Sequence, residues 1–100
     1  MGTEHYFVPA DEQTPPKLTA LTAALKKGGI VHSVDSAEGE SEIVLDPGAA
    51  ELGVLYCNHD PATRELGFVT FDASADADAK RIAMVLGILA KVGLVAEDAA

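Results

Sequence analysis

The sequence predicts an α+β fold: a two-layer sandwich in which an antiparallel meander sheet of four to five strands carries two helices packed on one face. Three observations lead there. Apolar residues recur at helical spacing in two segments, one near each end of the chain. Between those segments they recur at spacing two, the period of a half-buried strand. Gly, Pro, Asp and Asn then divide the middle into short runs with connections of hairpin length. At 100 residues the chain has the size of one domain, residues 1–100, with a single core.

The first strand is expected at residues 4–8, where His5-Tyr6-Phe7-Val8 is aromatic and β-branched and Pro9 ends the run. Thr14-Pro15-Pro16 offers an N-cap hydroxyl followed by proline at the first helical position, so a helix is expected over residues 15–27. Leu18, Leu21 and Leu25 make its apolar stripe, Lys26 and Lys27 suit its C-terminal dipole, and Gly28-Gly29 stops it. Four strands follow at Ile30–Asp35, Glu42–Asp46, Leu52–Asn58 and Glu65–Phe71. Val54-Leu55 and Phe68-Val69 put apolar side chains on both faces, which leaves the register and the buried side open. A second long helix is expected, capped by Ser74 or Asp76, with Asp76 and Asp78 in its first turn and no proline through Ala79–Val92. Ile82, Val85, Leu86, Leu89 and Val92 form its buried stripe. Met84 and Gly87 fall on the opposite face, where charge is expected, so the helix either packs against another element of the chain, the preferred reading, or offers an apolar surface to a partner. Gly93 ends it, and Leu94-Val95-Ala96 suggests a short last strand before a soft tail. The order resembles a ferredoxin-like sandwich with an added hairpin, an architecture that implies no function.

Charge narrows the function. Sixteen acids oppose seven bases for a net charge of -9, which argues against phosphate contacts and nucleic acid. No base stands between Lys27 and Arg64, while Asp35, Glu38, Glu40, Glu42, Asp46, Glu51 and Asp60 supply seven acids. The middle of the chain is therefore expected to form a broad negative rim, serving either solubility alone or a basic protein partner. One cysteine, no leader pattern and no apolar run of bilayer length give the expectation of a cytoplasmic protein without a membrane anchor.

Motifs for phosphate cradling, dinucleotide binding, serine hydrolysis and zinc proteolysis are all missing, and no cofactor is expected. Cys57, His59 and His32 are the residue types that could bind a metal or support a thiol nucleophile. The plainer reading is a buried, inert Cys57, a His59 in a solvated turn and a His32 satisfied among apolar neighbours. The reading taken is a small non-enzymatic interaction module of the inhibitor, immunity-type or adaptor class. Its candidate contact residues are Asp35, Glu38, Glu40, Glu42, Asp46, Glu51, Met84 and Gly87, and a homodimer through the last helix is a further option. The alternative is a small-molecule-binding domain or minor enzyme with a pocket near Cys57, His59 and His32.

Overall fold

A computed structural model describes residues 3–48 and 51–97. Loop positions 49 and 50 and tail residues 98–100, both expected to be irregular, lie outside the described residues. Strand β1 (Thr3–Pro9) is followed by helix α1 (Leu18–Lys27), then β2 (His32–Ala37), β3 (Glu40–Leu45), β4 (Gly53–His59) and β5 (Leu66–Ala73). Helix α2 (Ala79–Val92) and strand β6 (Leu94–Ala96) complete the chain.

The α+β class and the short last strand stand, but the sheet is wider than the meander expected from the sequence. All six strands form one antiparallel sheet in the order β2-β3-β4-β5-β1-β6. β1 pairs with β5 from Thr3↔Ala73 to Phe7↔Val69, and β6 pairs with β1 on its other side. Because β5 and β6 are each antiparallel to β1, they run parallel to each other, and a parallel pair needs a long crossover. Helix α2 is that crossover. Without the β2–β3 pair, the strands read β4-β5-β1-β6, a split β-α-β arrangement.

The helix starts differ from the sequence expectation. A residue before proline is disfavoured in the helical region, which counts against Thr14 and Pro15, and the N-cap Lys17 is still extended at φ -93° and ψ 156°. Thr14 Oγ1 donates instead to Asp11 Oδ2 at 2.9 Å, and α1 begins at Leu18, whose N–H donates to Arg64 O at 2.9 Å. The cap of α2 is Asp78 rather than Ser74 or Asp76: its Oδ1 accepts the Lys80 N–H at 2.9 Å, and no acid occupies the first turn. The β2–β3 connection contracts to Glu38-Gly39, where Gly39 has φ 78°, so both strands run further into the turn than expected.

The core lies between the helical layer and one sheet face. Leu18, Leu21 and Leu25 of α1 and Val85 and Leu89 of α2 meet Ile43, Leu45, Leu55, Val69 and Phe71, all buried. Ile82, Leu86 and Val92 pack at the margin of this cluster. Ile88 reaches α1 at Gly28, where a Cβ would stand 2.8 Å from Ile88 Cδ1, so glycine there lets the helices close. Met84 and Gly87 are exposed on the outer side of α2, and no described residue covers them, against the preferred intrachain packing. The reason is geometric: α1 lies beside α2, not over it, so the outer face meets solvent. No helix among the described residues is long and apolar enough to cross a membrane.

Candidate functional site

The sheet has a second face that no described element covers. Strand alternation sends Ser41, Ile43, Leu55, Cys57, Val69 and Phe71 toward the helices and their neighbours the other way. The register aligns these outward residues in rows. Asp35, Glu42, Tyr56, Thr70 and Tyr6 form one row across five strands, and Ser33, Val44, Val54, Asp72 and Glu4 form the next. Phe68 stands beside Tyr6 with ring centroids 5.9 Å apart and an interplanar angle of 34°, a tilted aromatic pair. Tyr56 is 42% exposed and Phe68 41%.

Aromatic and aliphatic side chains therefore occupy the middle of this face: Tyr6, Tyr56, Phe68, Val44 and Val54. Carboxylates bound it, with Asp35, Glu40 and Glu42 on β2 and β3 and Asp72 and Glu4 on β5 and β1. Among the described residues no Lys, Arg or His projects from it; the chain's seven bases lie on or beside the helices, or at Arg64 in the β4–β5 loop. A shallow concavity of about 270 Å³ sits between the two kinds of surface, lined by Glu40, Glu42, Tyr56, Asn58, Phe68 and Thr70. Such a floor fits a cation on an apolar stem, since carboxylates meet the charge while the rings pack the stem or face the cation.

The sequence-derived acids divide. Asp35, Glu40 and Glu42 come together on the open face, and Glu38 sits beyond them in the turn. Asp46 leaves the group: its largely buried carboxylate pairs with Arg81 of α2, which neutralises it and ties the end of β3 to the helical layer. Glu51 lines a different hollow of about 530 Å³ with Ser74, Asp78 and Arg81 at the start of α2. Met84 and Gly87 lie across the sheet from the acids, so the two candidate surfaces cannot form one site. Tyr6, Tyr56, Phe68, Glu4 and Asp72 are absent from the sequence-derived set. Their signal was the doubly apolar pairs Val54-Leu55 and Phe68-Val69, which mark a sheet with apolar residues on both sides.

The histidines and the cysteine do not assemble. His59 is 5% exposed rather than in a solvated turn. Its Nδ1–H donates to Asp60 O at 3.1 Å, because a carbonyl oxygen can only accept, and Nε2 lies 2.8 Å from Ser41 Oγ. Ser41 Oγ is 2.8 Å from Ser36 Oγ, so three side chains form a relay that closes the turn end of the hairpin. Ser41 is buried with its hydroxyl engaged on both sides, which leaves a reacting group no approach. Burial pushes the Cys57 thiol up to about 12, so it is neither a nucleophile nor a ready ligand at neutral pH. His32 is opposite Leu45, four residues along β3 from Ser41, and its Nδ1–H donates to Ile30 O at 3.0 Å. No three His, Cys, Asp or Glu side chains converge among the described residues. Comparison of the chain with protein families, curated proteins and solved structures finds no match.

Proposed function

We propose that this protein is a non-enzymatic interaction module, of the inhibitor, immunity-type or adaptor class, that takes a basic protein partner on the open face of its sheet. One observation carries the reading: an apolar, aromatic floor is bounded by Glu4, Asp35, Glu40, Glu42 and Asp72 with no base among them. Aromatic anchors inside a charged border are what a partner-binding surface needs, the rings for affinity and the carboxylates for steering and for rejecting acidic competitors. A role in solubility alone would account for the acids but not for two aromatic residues left about two-fifths exposed beside them. The cytoplasm, where a lone Cys57 stays reduced, is the fitting compartment.

The test places a photo-crosslinking phenylalanine derivative at position 56 and, separately, at position 84, in the source cell. Adducts from position 56 that disappear when Glu40→Lys and Glu42→Lys are added, and that weaken in moderate salt, support the reading. Adducts from position 84 alone, or adducts from position 56 indifferent to the charge reversal, overturn it.

A further inference from the structure

The geometry points to strand addition: an extended segment of the partner, alternating basic and apolar residues, pairs with the free edge of β2. Among the described residues that edge is open: β2 is the terminal strand of the sheet and pairs only with β3. It spans six residues, His32–Ala37, without the lysine or proline that commonly blunts an exposed edge. The opposite edge, β6, has three residues.

The hydrogen-bond alternation shows which groups are free. The Asp46 N–H donates to Val31 O at 2.6 Å, so Val31 and Asp46 form a bonded pair. In an antiparallel ladder bonded and non-bonded pairs alternate, which makes Ser33/Val44, Asp35/Glu42 and Ala37/Glu40 the bonded pairs as well. The N–H and C=O of His32, Val34 and Ser36 therefore point away from β3 toward the vacant side.

The side chains specify what would lie there. On the helical side Val34 is 43% exposed although its cross-strand neighbour Ile43 is 0% exposed, so the helical layer stops short of the edge and leaves apolar surface for an added strand. On the open side an outward side chain of the added strand stands opposite Asp35, with Glu42 one strand further in the same row, so the position suits Lys or Arg. A second copy is the wrong occupant: two-fold β2–β2 pairing centred on Asp35 sets two Asp35 carboxylates opposite each other, centring on Val34 offers Asp35 only Ser33, and in either register both chains carry a net charge of -9. The sign of the charge rests on the reading above; the strand pairing does not.

The probe is an eight-residue synthetic peptide of alternating Lys and Val, with two controls: alternating Ser and Val, and the Lys–Val peptide N-methylated at alternate residues. Backbone hydrogen exchange of the full chain is read residue by residue with each. The expected result is that the Lys–Val peptide slows exchange at His32, Val34 and Ser36 by about tenfold or more, with Ser33 and Asp35 little changed, and that N-methylation weakens binding by about tenfold. Equal binding of the N-methylated peptide, or spectral shifts confined to Tyr56, Phe68 and Thr70, overturns strand addition and leaves the open-face reading standing. Equal protection by the Ser–Val peptide overturns the basic specificity and leaves the pairing. Light scattering that shows a dimer lost on Val34→Lys substitution assigns the edge to a second copy and overturns the proposal.

Discussion

Glu42→Lys should stabilise the fold while weakening partner binding. Asp35 and Glu42 are cross-strand partners, which places their Cα atoms about 5.5 Å apart in a bonded pair. Like charges in that position destabilise a sheet, and opposite charges stabilise it, each by a few tenths of a kcal/mol. Both groups are exposed, so solvent screening holds the combined gain to about 0.5–1 kcal/mol. For a domain of this size that raises Tm by roughly 2–8 °C at low ionic strength. Glu42→Gln, which removes the repulsion without adding attraction, should fall between. The gain should shrink at 0.15 M salt, where the Debye length is about 8 Å. Calorimetry at two salt concentrations, with Glu12→Lys in the exposed β1–α1 loop as a control, makes the measurement. Each of the two lysine substitutions changes net charge by +2, from -9 to -7, so general relief of repulsion is matched. A lower Tm for Glu42→Lys at low salt, or an equal rise in the control, would refute the argument that these two carboxylates are opposed. A stabilised variant that binds less well is the signature of a surface kept for recognition.

Two glycines should respond in opposite ways. At Gly53, φ is 151° and a Cβ would lie 2.4 Å from Asp72 O, so Gly53→Ala should cost about 3 kcal/mol or more, read in urea unfolding. Gly87 is helical with open space around it, so Gly87→Ala should stabilise by about 0.5–1 kcal/mol. Ser41→Ala leaves buried His59 Nε2 without its partner and should cost about 2 kcal/mol, measured in the same way. With its thiol near 12 against an ordinary 9.0, Cys57 should react with a thiol reagent at pH 8 about a thousandfold more slowly in the native protein than in urea. The folded state holds this proton more tightly than the unfolded chain, so the thiol's contribution to stability is present below about pH 9 and falls as pH rises toward 12, which Cys57→Ala should flatten.

Local patterns made most of the elements legible. The leucines of α1, the glycines after both helices and the turn residues between β2 and β5 act over a few positions, and the sequence shows them directly. The sheet order was not legible, because the slot of β1 between β5 and β6 depends on two crossovers that leave no local trace. The burial of His59 escaped for a similar reason: its partner Ser41 lies 18 residues away on the neighbouring strand. The acids of the middle segment were visible as a group, yet the alternation of β3 determines which share a face. Glu40 and Glu42 have the same parity and stay together, while Asp46, past the strand end with φ 51°, turns to Arg81. The apolar half of the surface needed the register, since Tyr56 and Phe68 look like core residues until their neighbours Leu55 and Val69 claim the interior.

The place of β1 orders events at the ribosome. The hairpins from β2 to β5 close through nearby residues and can form as they emerge, but β1 needs β5 on one side and β6 on the other. Of the six strands, the one made earliest is thus among the last to be fully seated: it waits for β5, and its Phe7–Pro9 end stays unpaired on the other side until residues 94–96 are made. A nascent chain halted before Leu94 would hold β1 by one ladder only. Its vulnerability to proteases should drop when residues 94–96 arrive.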